Sequence, residues 1–170
     1  MKKIILFIAT SLDGYVARTD GTIDWLFNDA DYGYTPFLAS VDTIWMGHKT
    51  YQQLLTFGDF PYKNKQNFVF TRNPHLKQDE NVAFISEDLA TFAAKAKLEE
   101  TNGAIWLVGG SEIITALIHF IDEYILFAHP IILGDGIPLF PKGITSIPLK
   151  TVSTEVFPSG LIRMTLLKKE

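Results

Sequence analysis

The sequence predicts an α/β domain with a mostly parallel central sheet, flanked by helices and closed by a C-terminal antiparallel hairpin. Three observations carry this. Short apolar runs with β-branched or aromatic character alternate with helix-period segments along most of the chain. The run at 105–108, Ile-Trp-Leu-Val, is apolar throughout, as a strand buried on both faces must be. The segments 152–157 and 161–167 flank Pro158-Ser159-Gly160, a turn signal that pairs them antiparallel.

The elements follow in order. Residues 4–10 form an apolar run behind two lysines, which gives them a slight likeness to a signal peptide. The run is short and leads into Ser11, Asp13 and Gly14, so a buried first strand is expected instead. A short helix at 36–41 precedes a strand at 43–46 and a helix at 48–56. Strands at 67–71 and 82–85 lead to a helix at 89–99, rich in Ala, Lys and Glu, with Ser86 or Asp88 as its N-cap. After the strand at 105–108, a helix at 111–120 begins behind two glycines. Ile113, Ile114, Leu117, Ile118 and Ile121 give it an apolar stripe at 3.6 spacing. A long strand at 124–133 precedes the hairpin.

With 170 residues, 47% hydrophobic and 20% charged, and no repeat or linker, the chain reads as one domain spanning 1–170. It has no cysteine, which excludes disulfides, thiol catalysis and Cys-ligated zinc, and fits a cytoplasmic setting. The net charge is −4 and no basic run exceeds two residues, so no nucleic acid partner is expected. No apolar stretch approaches the ~18 residues of a membrane span.

Three strand-to-helix junctions stand out, because ligands of open α/β sheets bind at the carboxyl ends of strands. In the first, Ile44-Trp45-Met46-Gly47-His48-Lys49-Thr50-Tyr51, Gly47 allows close backbone approach, and the first helical turn offers N–H groups to an anion. His48, Lys49 and Thr50 add donors; solvated polar residues at a helix start would look the same. In the second, Trp106-Leu107-Val108-Gly109-Gly110-Ser111-Glu112-Ile113, the paired glycines leave room for a ligand on the backbone or make a plain tight turn. This is not GxGxxG. In the third, Phe68-Val69-Phe70-Thr71-Arg72, the Arg72 fork suits a phosphate or simply faces water.

The ordered segments MGHKTY, VFTR and VGGSEI, with SLDGYVA and Trp25 before them, resemble dihydrofolate reductase. Closer still is the resemblance to the reductase domain of bacterial riboflavin-biosynthesis deaminase–reductases. That group shares SLDGYVA, the VGG segment and the stretch from Phe127 through His129-Pro130 and Gly134-Asp135-Gly136 to Phe140. The resemblance implies a three-layer dihydrofolate-reductase-like fold and an NADPH-dependent reductase acting on a small pyrimidine- or pterin-like heterocycle, as in 5-amino-6-(5-phosphoribosylamino)uracil reduction. It places Ala9, Val16 and Ala17 near the nicotinamide, and Gly47, His48, Lys49 and Thr50 at the pyrophosphate and ribose. Thr71 and Arg72 fall at the adenosine end. Val108, Gly109, Gly110, Ser111 and Ile113 fall at the central phosphates and nicotinamide. The chain departs from dihydrofolate reductase at His48, where Arg is usual, and at Ile114, where Tyr is usual; the latter weakens the case for folate. It also lacks the cysteines a zinc deaminase domain needs.

Hydride transfer to a C=N or C=O bond also needs a proton. Alignment with dihydrofolate reductase points to Asp31 counted from Gly47, and nearer Asp29 counted from Trp25; a polar surface loop is the alternative. Trp25, Tyr32 and Tyr34 are candidates to line the substrate pocket. Asp13 reads as a turn former, and Asp79-Glu80 and Asp122-Glu123 as solvated loops or helix ends. His75, His119 and His129 have no metal-ligand spacing, and no metal is expected. Tyr124 to Leu133 with Pro138 to Phe140 would supply a homodimer surface, as in the related reductases, though core packing accounts for the same residues. Besides the reductase, two readings stay open: a non-catalytic NADP(H)-binding module, and a true dihydrofolate reductase.

Overall fold

In a computed structural model, which describes residues 1–76, 79–99 and 103–169, an eight-stranded sheet forms the middle layer. The strands are β1 (Ile4–Thr10), β2 (Tyr15–Ala17), β3 (Val41–Gly47), β4 (Gln66–Phe70), β5 (Ala83–Ile85), β6 (Ala104–Gly109), β7 (Glu123–Ala128), β8 (Ile137–Pro138), β9 (Leu149–Val156) and β10 (Ile162–Lys168). The helices are α1 (Tyr34–Ser40), α2 (His48–Thr56), α3 (Leu89–Lys97) and α4 (Ser111–Ala116). The order across the main sheet is β5-β4-β3-β6-β1-β7-β10-β9. The strands from β5 to β7 run parallel, and β10 and β9 close the sheet antiparallel. β2 and β8 form a separate antiparallel pair.

The alternation of side chains along each strand sorts the core into two layers. Ile4 and Leu6 of β1 pack with Trp45, Leu107, Ala93 of α3 and Ile114 of α4. Ile5 packs on the other face with Ile44, Trp106, Phe37 of α1 and Tyr51 of α2. Helices therefore cover both faces, which is the three-layer arrangement expected. The first apolar run is a central strand: Ile4 and Leu6 are fully buried between β6 and β7.

Several expectations are corrected. The strand expected at 124–133 ends at Ala128. Beyond it Pro130 has no N–H for a ladder, and the chain is held by single bonds, from His129 N–H to Thr10 O and from Leu12 N–H to Ile131 O. The helix expected at 111–120 ends at Ala116 and continues as tight turns. The first helix starts at Tyr34 rather than Pro36. Pro36 fits inside its first turn, where an N–H has no intrahelical acceptor. The run that would supply a dimer surface is core only in part: β7 lies between β1 and β10, and Tyr124, Phe127 and Leu139 are buried, while Ile132 and Phe140 are exposed. Asp122 is no solvated loop residue; it accepts from Lys97 Nζ and from Ile4 N–H, joining α3 to β1. Asp79 likewise accepts from the Tyr51 hydroxyl. Asp13 is a turn former as read, accepting from the Ser11 hydroxyl and the N–H groups of Leu133 and Gly134. Among the described residues no helix is long and apolar enough to cross a membrane.

Candidate active site

Strand ends of the parallel half open into one cleft of about 1640 Å³. That exceeds the roughly 300–1000 Å³ of common small-ligand pockets. Every residue assigned above to the cofactor lines it: Ala9, Val16, Ala17, Gly47, His48, Lys49, Thr50, Thr71, Arg72, Val108, Gly109, Gly110, Ser111 and Ile113. The reason is topological. β4, β3, β6 and β1 are neighbours in the sheet and point the same way, so junctions far apart in sequence share one edge.

Glycine forms the floor. A Cβ on Gly47 would stand 3.1 Å from Ile113 Cγ1 and 3.6 Å from the Gly110 nitrogen. Gly47 has an ordinary φ of −76°, so space rather than torsion requires glycine there. Gly109 has φ +141°, a conformation that side chains disfavour, and its peptide bond to Gly110 is cis. No side chain caps the first turn of α2 at Gly47, which leaves its amides for an anion.

The polar groups above this floor are mostly water-facing. Arg72 pairs with Glu112 at 2.6 Å, the two side chains being 91% and 68% exposed. Water screens such a pair strongly, so the guanidinium can exchange Glu112 for another anion. The Thr71 hydroxyl accepts from Asn73 N–H at 3.0 Å. The Ser111 hydroxyl donates to Pro138 O and ties α4 to β8, so it is already engaged.

The other end of the cleft is aromatic. Phe7 of β1, Trp106 of β6, Phe127 of β7 and Tyr34 of α1 line it. Phe7 lies 4.6 Å from Phe127, 5.9 Å from Trp106 and 6.3 Å from Tyr34 between ring centroids. Trp106 Nε1 donates to Phe7 O at 3.1 Å, which holds the indole in place. Leu26 and Phe27 reach the cleft from the segment after β2.

The candidate substrate residues divide. Tyr32 and Tyr34 line the cleft, whereas Trp25 does not. Trp25 is 7% exposed and packs edge-on against His129, with centroids 5.1 Å apart. Asp31 lines the cleft and Asp29 does not. Asp29 is exposed and accepts from the Tyr32 hydroxyl at 2.7 Å. Asp31 accepts from the Thr35 hydroxyl at 2.6 Å, from Thr35 N–H at 3.0 Å and from Gly33 N–H at 3.2 Å. These bonds, the hydroxyl's first, hold its carboxyl below the usual range, opposite to the shift that suits a proton donor near neutral pH.

Of the residues at this end, Tyr34 is legible in the sequence as a pocket residue, whereas His129, Phe7, Trp106 and Phe127 are not. Single apolar letters inside strands carry no sign of facing a cavity, and only the neighbouring strands reveal it. Among the described residues no three His, Asp or Glu side chains converge as a metal site.

Comparison with known proteins agrees with this architecture. The family model of the RibD C-terminal domain matches residues 2–163. The chain is 40% identical over 162 residues to the uncharacterized protein YwjB of Bacillus subtilis (strain 168), covering 92% of each. It superposes on a structure described as a riboflavin biosynthesis protein from Shewanella sp. PV-4 with TM-score 0.86 and 30% identity, covering 99% of both chains. Dihydrofolate reductase from Enterococcus faecalis, solved with NADP(H), gives TM-score 0.72 at 18% identity, with 99% of this chain and 97% of that one covered; the fold is dihydrofolate-reductase-like.

Proposed function

The chain belongs to the RibD C-terminal domain family, and from that premise we propose that it is an NADPH-dependent reductase acting on a small pyrimidine- or pterin-like ring. One observation carries the proposal: the cleft has a glycine-floored, donor-rich end and an aromatic end, held side by side by the sheet order. A cradle that a Cβ on Gly47 would begin to fill suits a diphosphate lying on backbone. Neighbouring strands lie about 4.8 Å apart. Arg72 at the end of β4 and Phe127 in β7 are four strands apart, hence roughly 19 Å, long enough for an extended dinucleotide and a second ring.

In this reading the α2 amides, Lys49 and Thr50 hold the diphosphate, and Arg72 and Thr71 hold the adenosine 2′-phosphate. Ala9, Val16, Ala17 and Val108 leave room for the nicotinamide beside Phe7. NADPH bound there would supply a hydride to an electrophilic ring carbon, leaving NADP⁺. Tyr34, Trp106 and Phe127 orient the acceptor ring. Asp31, held ionised, accepts a ring N–H, and the proton that completes the reduction comes from water. A homodimer belongs to the same reading, and mass in solution tests it.

A second reading, a nucleotide-binding module without catalysis, is favoured by one observation: the Asp31 carboxylate is already engaged at the start of α1. Titration with NADPH and separately with NADH, followed by thermal stabilisation, tests the shared premise. Ligand at a hundredfold excess over Kd adds about 2.7 kcal/mol. Stabilisation by NADPH that exceeds NADH, and that shrinks in Arg72→Ala, supports the assignment; no stabilisation by either removes it.

A further inference from the structure

The donor-rich end of the cleft carries charges of both signs. Arg72 follows β4, and Glu112 stands in the first turn of α4, which follows β6. β3 lies between β4 and β6, so the two side chains meet across its carboxyl end. Arg72 Nη2 donates to Glu112 Oε2 at 2.6 Å, and both residues line the cleft. Glu87, just beyond β5, lines the same end and lies 3.6 Å from Lys95.

A site for phosphate alone has no use for a carboxylate on its arginine, because like charges repel and the pair must part before the anion binds. Dinucleotide sites read the adenosine ribose in one of two ways. A carboxylate accepts the 2′-hydroxyl of NADH, or an arginine takes the 2′-phosphate of NADPH. Here one residue of each kind is present, and the two are in contact. Their exposure, 91% and 68%, lets the pair open at little cost. A carboxylate accepts several hydrogen bonds at once, so Glu112 can hold Arg72 and a ribose hydroxyl together.

Resting on the reductase reading, which sets the adenosine end of the cofactor at Arg72, we propose that Glu112 is a specificity-determining residue for the dinucleotide. It competes with the 2′-phosphate for the Arg72 guanidinium, and it accepts the ribose 2′-hydroxyl when that phosphate is missing. With NADPH, the guanidinium turns from Glu112 to the phosphate, which offers three oxygens and more charge than a carboxylate. The displaced carboxylate stays close and repels the phosphate, so part of the gain is lost. With NADH, the pair stays closed and Glu112 takes the hydroxyl. The pair, and not Arg72 alone, therefore sets the preference between the two cofactors and keeps it modest.

The test is equilibrium binding of NADPH and NADH to the unaltered protein and to Glu112→Gln, with 2′,5′-ADP and 5′-ADP as fragments that lack the nicotinamide. Glu112→Gln keeps the side chain's shape at an exposed position, and its melting temperature without ligand checks the fold. NADPH and 2′,5′-ADP should bind more tightly to Glu112→Gln, and NADH and 5′-ADP more weakly. The ratio of the NADH to the NADPH Kd should rise at least threefold. A smaller rise, or weaker binding of NADPH, overturns the inference; weaker binding would make Glu112 a support that orients Arg72. Either result leaves the reductase reading standing, because NADPH still binds the unaltered protein. Binding of neither cofactor by the unaltered protein removes that reading, and the inference with it.

Discussion

The backbone N–H of Phe27 donates to Nε2 of His129 at 3.2 Å, across 102 positions of sequence. The other ring nitrogen, Nδ1, lies 3.3 Å from Phe127 O, so the neutral tautomer carries its proton on Nδ1. The imidazole thus joins the end of β7 to the segment bearing Leu26 and Phe27, with the Trp25 and Phe27 rings against its faces and edge.

This bond has a pH consequence. Burial pushes the His129 pKa below its ordinary 6.5. The unfolded chain therefore takes up the proton first, and stability falls as pH drops below about 6.5 toward the lowered folded value. His129→Gln keeps an acceptor for Phe27 and a donor for Phe127 but cannot titrate. Its melting temperature should change less between pH 7 and pH 5 than that of the unaltered protein. His129→Ala removes the acceptor of the Phe27 N–H and the buried ring, and should cost about 2 kcal/mol in denaturant unfolding.

Gly47→Ala places a methyl 3.1 Å from Ile113 Cγ1 on the floor of the cleft. Overpacking of this kind costs about 1 kcal/mol. Removing the opposing side chain in Gly47→Ala/Ile113→Ala should relieve the crowding, while the added methyl still stands over the backbone. The double variant should therefore show a non-additive gain in stability relative to the two single changes, with NADPH affinity still at least tenfold reduced by titration.

Asp31→Asn separates catalysis from mere binding. The reductase reading expects at least a tenfold loss of kcat/KM for the acceptor with NADPH affinity unchanged. Thr35→Ala is the control, because it keeps the carboxylate and removes the hydroxyl that ties it to the start of α1. If both variants lose activity alike, the carboxylate's work is confined to starting α1.

Tyr51 and Asp79 link α2 to the segment before β5. The Tyr51 hydroxyl, with Asn81 N–H behind it, holds the Asp79 carboxyl below its ordinary 3.8. The stability this contributes is present above pH 3.8 and is lost as pH falls through the lowered folded value. Tyr51→Phe should cost about 1 kcal/mol near neutral pH and flatten the acid limb of a urea-unfolding series.

Local pattern sufficed for much of this protein. Apolar runs of strand length and glycines at strand ends mark β1, β3 and β6 and the starts of α2 and α4, because backbone torsion and side-chain period are set by near neighbours. The cofactor candidates were legible for the same reason: each sits at such a junction. Trp25 was not, since whether an indole faces a ligand or a histidine depends on what folds back against it. That Asp31 and not Asp29 lines the cleft depends on how the chain turns before α1. The wall of Phe7, Trp106 and Phe127, and the bond from Phe27 to His129, exist only once β6, β1 and β7 lie side by side. The sequence by itself determined most of the elements and the glycine-marked strand-to-helix junctions. Strand order, a sum of many long-range contacts, decided which distant side chains share the cleft.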